Sequence, residues 1–171
     1  MTQNNKTRFP EREISRIIGI DPGLASSGWG IIEVDKQRIR YIAHGCIETK
    51  AEKAHSERLL QIYEDICAIL EKYNPTAGAM EMLYFVRNIT SALPVAEARG
   101  VIIVALAQRG ISVREFTPKN IKQAVVGAGA AEKSQVQEMV RLILGLDSIP
   151  KPDHASDALG VALCSAHTIL P

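Results

Sequence analysis

Long apolar runs are missing from this 171-residue chain. The longest, VIIVALA at 101–107, falls far short of the ~20 residues a spanning helix needs, so no membrane segment is expected. Cysteine is sparse as well. Cys46, Cys67 and Cys164 are odd in number, scattered, and without metal-site spacing. That excludes a disulfide framework and fits a reducing cytoplasm. Net charge is only +1, so composition alone announces no nucleic-acid binder. Repeats and low-complexity linkers are absent. Residues 1–15, MTQNNKTRFPEREIS, lack the apolar stretch of a signal peptide and read as a disordered polar lead-in. Residues 16–171 then form a single domain. The chain is 46% apolar and 23% charged, which excludes a disordered or fibrous protein.

What is present is regular. RIIGID (16–21), GWGIIEVD (28–35) and RIRYIAHGCIE (38–48) read as strands, and their short links PGLASS and KQ predict an antiparallel meander. SERLLQIYEDICAILEKYNP places Leu59, Ile62, Tyr63, Ile66, Ile69, Leu70 and Tyr73 on one helical face, with Ser56 as cap and Pro75 as stop. TAGAMEML (76–83) and ISVREFT (111–117) read as the fourth and fifth strands. A helix over 88–110 joins them, with Pro94 near its start and Gly110 beyond its end. Thr117 and Pro118 open a further helix, and 131–144 and 153–170 form two more, the last capped by Asp153. The order predicts an α/β fold with a five-stranded mixed sheet and helices on both faces. Three antiparallel strands come first, then strands joined through helices. Right-handed crossovers make the first and fourth strands parallel neighbours, and a site is expected beyond their carboxyl ends.

Four side chains stand out there. Asp21 ends the first strand, Glu81 lies in the fourth, and His154 and Asp157 share a face in the first turn of the last helix. A carboxylate at the tip of an apolar strand is costly unless something binds it. If the last helix packs on the first strand, the four converge as an oxygen-rich set suited to Mg²⁺. Simpler roles exist for each. Asp21 before Pro22-Gly23 is a common turn starter, Glu81 suits a half-exposed strand, Asp157 favours a helix dipole, and His154 suits a surface. PGLASSGWG reads as a turn kept small so that metal and phosphate can approach.

From Tyr84 to Arg141 eight basic residues face four acidic ones, an excess the whole chain lacks. A polyanion would meet such a surface through its phosphates. Lys119 and Lys122 lie in the first turn after Thr117-Pro118, and Lys133 near the start of the next helix, after GAGAA. Helix N-termini and lysines can jointly hold phosphate, although solvated charge is the plainer account. Tyr84, beside Phe85, is either core or a platform for an unpaired base.

IIGIDPGLASSGWGII, AMEMLYFVRN, SALPVAEARGVIIVA, IKQAVVGAGAAEKSQVQEMV and DHASDALGVAL, in this order from about Ile17 to His167, resemble the RuvC-type Holliday-junction resolvases. The resemblance implies a ribonuclease-H-like fold and a cytoplasmic homodimer acting in recombination and DNA repair. It implies paired symmetric nicks in a four-way junction with two Mg²⁺ ions per site, Mn²⁺ substituting, in cooperation with the RuvA–RuvB branch-migration complex. Asp21, Glu81 and Asp157 fall on the family's catalytic, metal-binding carboxylates. The fourth position falls on His154, where some members carry Asp; the histidine either ligates metal or acts as a base, with Asp153 as the neighbouring alternative ligand. Lys122 and Lys133 match basic positions used near DNA, and Tyr84 matches an aromatic that contacts the unpaired junction. Arg87 and Lys119 complete the expected DNA-contacting set.

Two other readings compete. Actin-like kinases and ATPases also begin with a strand, an Asp and a glycine-rich hairpin, but they duplicate the unit, for which 171 residues leave no room. A non-catalytic junction-binding module is disfavoured by acidic residues at every expected place.

Overall fold

The computed structural model describes residues 15–83 and 89–169, less the side chains of 89–91 and 169. Five strands, β1 (Ser15–Asp21), β2 (Ser26–Asp35), β3 (Arg38–Glu48), β4 (Ala77–Glu81) and β5 (Val113–Phe116), form one sheet in the order β3-β2-β1-β4-β5. β1–β2 and β2–β3 are antiparallel; β1–β4 and β4–β5 are parallel. The mixed sheet, the antiparallel meander and the β1–β4 pairing agree with the sequence-based expectation; the place of β5 beside β4 is the structure's addition. The two-residue turn into β3 holds Lys36 at φ 59°.

Alternation along the strands builds two cores. Ile18, Ile20, Ile31 and Met80 face α1 (His55–Tyr73) and α2 (Ile89–Gln108). Ile17, Ile32 and Ala79 face the other layer, α3 (Pro118–Val126), α4 (Lys133–Ile143) and α5 (Asp153–Ile169). Ile17, Ile18, Ile31 and Ile32 are fully buried, each worth ~1.5–3 kcal/mol of transfer free energy.

Two helix starts differ from expectation. α1 begins at His55, so Ser56 lies inside its first turn. The open N–H at the start is that of Ala54, which donates to the Glu57 carboxylate at 3.0 Å. Asp153 is the first residue of α5 and not its cap; its carboxylate accepts instead from Lys151 at 2.9 Å. Thr117 does cap α3, its Oγ1 accepting from the Asn120 N–H at 3.0 Å. Pro94 lies inside α2. The expected lead-in falls in residues 1–14, outside those described, apart from Ser15, which opens β1.

α5 lies directly on β1 and β2 because glycine leaves room for it. A Cβ on Gly19 would come 2.0 Å from the Ala158 carbonyl oxygen, and one on Gly28 would come 2.0 Å from that of His154. No side chain fits either place. Gly28, within β2, thus has a use the sequence reading did not give it: it makes room for the backbone of α5.

Candidate metal centre and its basic rim

Period two carries Ile17, Gly19 and Asp21 to one face of β1, the face that α5 covers. β1 and β4 run parallel in the register Gly19↔Ala79 and Ile20↔Met80, so Asp21 and Glu81 end adjacent strands on that same face. α5, seated on Gly28 through the His154 carbonyl, starts its first turn over them. Helical spacing then places His154 and Asp157 on the side nearest Asp21. Donor atoms of Asp21, His154 and Asp157 all lie within 4.8 Å of one another.

The charges in this cluster are poorly accommodated. Burial pushes the Asp21 carboxyl above its ordinary range. Its hydrogen bond and charge attraction to His154 oppose that push, and the charge of Asp157 adds to it. Glu81 is raised too, chiefly by burial and then by the charges of Asp21 and Asp157. Two or three carboxylates pressed together beside an imidazole form a donor set that fits a hard divalent cation, since a cation among them relieves the repulsion. Asp21, His154 and Asp157 are the residues placed to hold it, with Glu81 alongside.

Glu81 lines a cavity of about 210 Å³ with Asp157, Lys122, Lys133, Pro118, Ile121 and Val136. Two expected basic residues thus reach the acidic cluster. Lys133 Nζ donates to Asp157 Oδ2 at 2.8 Å and lies 3.9 Å from Asp153 Oδ2. The hydrogen bond to Asp157 raises the Lys133 ammonium above its usual range, with burial opposing it. Asp153 is therefore beside the cluster through Lys133 but outside the converging trio. Lys119 is exposed on the first turn of α3, with its stem against Gly129. Tyr84 and Arg87 lie outside the described residues.

The basic excess of the second half is smaller than the residue count suggests. Arg99 pairs with Glu115, and Arg141 with Glu138 at 2.6 Å. Among the described residues the cations that line the cavity are Lys122 and Lys133. Arg99 has a use that the sequence does not announce: its Nη1 donates to the Glu81 carbonyl oxygen at 2.9 Å and fixes the end of β4. No local spacing signals this, since Glu115 and Glu81 lie on other elements, and Glu97 of the same helix pairs with His55.

Comparison with known proteins gives this geometry its context. The family model "Crossover junction endodeoxyribonuclease RuvC" matches residues 17–165. The chain is 52% identical over 153 residues to the crossover junction endodeoxyribonuclease RuvC of Heliobacterium modesticaldum, covering 90% of this chain and 94% of that one. The Chloroflexus aurantiacus protein of the same name is 52% identical over 90% of this chain and 93% of its own. Among solved structures, Thermus thermophilus RuvC in complex with Holliday junction substrate superposes with a TM-score of 0.86 at 34% identity, covering 91% of this chain and 94% of that one. The chain belongs to the RuvC family of crossover junction endodeoxyribonucleases.

Proposed function

We propose that this chain is a crossover junction endodeoxyribonuclease that resolves four-way DNA junctions by paired, symmetric nicks. The observation that carries the reading is the convergence of Asp21, His154 and Asp157, from opposite ends of a family-matched domain, onto one point beside Glu81. Those four residues hold the metal, for which Mg²⁺ is the natural occupant and Mn²⁺ a substitute. Bound there, the metal supplies positive charge where the attacking and leaving oxygens of a phosphodiester become negative.

The chain's own residues do the remaining work. His154 Nδ1 faces Asp21 Oδ2 at 2.6 Å, and an ionised carboxylate only accepts, so Nδ1 is the donor of that pair and Nε2 is the nitrogen left facing the site. That nitrogen either joins the metal's ligands or takes a proton from water, the two alternative roles of position 154. Asp21, two-thirds or more screened from solvent, keeps competing water away from its oxygens. Lys119, Lys122 and Lys133 bind phosphates along the rim, and Tyr84 and Arg87 meet the opened junction.

Paired cuts call for two sites. A two-fold dimer matches a two-fold junction, and Leu60, Leu93 and Val104, each more than half exposed on α1 and α2, offer apolar surface for a second copy. No described helix is long and apolar enough to cross a membrane. We place the enzyme in the cytoplasm, in recombination and repair, working with RuvA–RuvB.

The test is cleavage of a synthetic four-way junction with the nicks mapped, in Mg²⁺ and in chelator. Two symmetric nicks that need the metal are expected. Cutting that survives chelation, or no cutting in Mg²⁺, overturns the reading.

A further inference from the structure

Lys133 is held between two carboxylates of unequal kind. Its Nζ is 2.8 Å from Oδ2 of Asp157 and 3.9 Å from Oδ2 of Asp153. Asp157 belongs to the trio whose donor atoms converge, whereas Asp153, one turn earlier on α5, does not. We propose that Lys133 is a two-position cation: without metal its ammonium occupies Asp157 and competes with the divalent ion, and on metal binding it transfers to Asp153. The proposal rests on the metal-centre reading above and adds a built-in competitor to it.

The physical case is one of exchange. An oxygen that accepts a short lysine hydrogen bond has given up a lone pair and much of its charge attraction to a metal. Lysine suits the move. Its ammonium is a point charge on a flexible stem, with no fork to align. The side chain is 56% exposed and springs from the first residue of α4, so it can swing while its backbone stays fixed. Asp153 already accepts from Lys151 at 2.9 Å, and that oxygen is Oδ1, which leaves Oδ2 facing Lys133. The exchange keeps the site near neutral when metal is scarce and leaves the ammonium on the cavity rim when metal is bound.

The experiment is calorimetric titration of Mn²⁺ into the full chain, free of DNA and metal. Lys133→Met is expected to tighten Mn²⁺ binding about three- to tenfold, the scale of one partly exposed charged hydrogen bond. Lys133→Gln, which keeps much of the reach without the charge, should move it the same way. Lys122→Met removes a charge from the same cavity wall and should change it less. Asp153→Asn is expected to weaken binding in the otherwise unaltered chain and to lose most of that effect beside Lys133→Met. Unchanged or weaker binding by the Lys133 variants overturns the competition. Equal tightening by Lys122→Met reduces it to general charge and also overturns it. An undiminished Asp153→Asn effect overturns the transfer. No Mn²⁺ binding by any form overturns the metal centre itself, and the competition with it.

Discussion

Nδ1 of His154 lies 2.6 Å from Oδ2 of Asp21, a contact between residues 133 positions apart. It ties the first strand to the last helix at the point where the charges crowd, and it opposes, without cancelling, the rise that burial imposes on the Asp21 carboxyl. A raised carboxyl in the folded state means that ionisation costs stability. The cost is absent below the unfolded-state pKa, where the group is protonated in both states, and complete above the folded-state pKa. Asp21→Asn is therefore expected to raise the melting temperature in chelator at neutral pH, with the gain shrinking as pH falls through the carboxylate range. The same variant should still bind junctions while its cleavage falls about a hundredfold or more, the scale of several kcal/mol of lost charge stabilisation. Wild-type cutting by Asp21→Asn would remove Asp21 from the site.

Three glycines under or within α5 make a graded series. Gly19→Ala and Gly28→Ala drive a methyl into helix backbone at 2.0 Å. Each is expected to cost ~1–3 kcal/mol or more, as overpacking does, and Gly28→Ala should also impair cleavage by displacing His154. Gly160→Ala adds a methyl at 3.7 Å from Ile121 and Val140, an ordinary contact, and should stabilise the helix by roughly 0.5–1 kcal/mol. Denaturant unfolding of the three variants checks the order. A stable Gly28→Ala protein with full activity would show that α5 is not seated as described.

Much of this arrangement is legible in the sequence, and the limits are instructive. RIRYIAHGCIE matches the bounds of β3, whose start the two-residue turn from β2 fixes. Asp21 and Glu81 could be put on neighbouring parallel strands from the order alone, but that they share a face depends on the register Gly19↔Ala79. The seat of α5 could not be read that way. Gly28 looks like any turn glycine until the register brings the His154 carbonyl above it. Ion pairing was equally hidden. Counting charges credits Arg99 to the surface, while tertiary packing spends it on Glu115 and the Glu81 carbonyl. Ser56 misled because the chain closed the start of α1 with a glutamate three residues beyond Ala54, not with a hydroxyl.

With His154 among the metal's ligands, as proposed, the imidazole would bias metal preference. Nitrogen donors favour Mn²⁺ over Mg²⁺ more than carboxylates do. His154→Asp is expected to lower the ratio of Mn²⁺- to Mg²⁺-supported cleavage while keeping the enzyme active. Metal titrations of the nicking rate check this, and an unchanged ratio would place position 154 outside the metal's ligands.

Lys122 is the test of the proposed phosphate contact. It lines the cavity with Glu81 and Asp157. Lys122→Ala should weaken junction binding and lower the slope of log affinity against log salt by about one, as loss of one phosphate contact does. Binding measured in a non-cleaving metal-free buffer at several salt concentrations gives the slope. An unaltered slope would leave Lys122 as a solvated charge.

The two cores lie on opposite sides of one sheet, and both strand-end carboxylates point into the same one. The sheet therefore acts as a partition. Substitutions at Ile18, Ile31, Ile62 and Ile66 can drift, or be reshaped for a neighbour, with little mechanical route to the acidic cluster, whereas Arg99 of α2 is the tie that crosses the sheet's end to the Glu81 carbonyl. On the other side Ile17, Ala79 and Leu159 share their layer with the reacting groups, and a lost methylene there moves the chemistry as well as the stability.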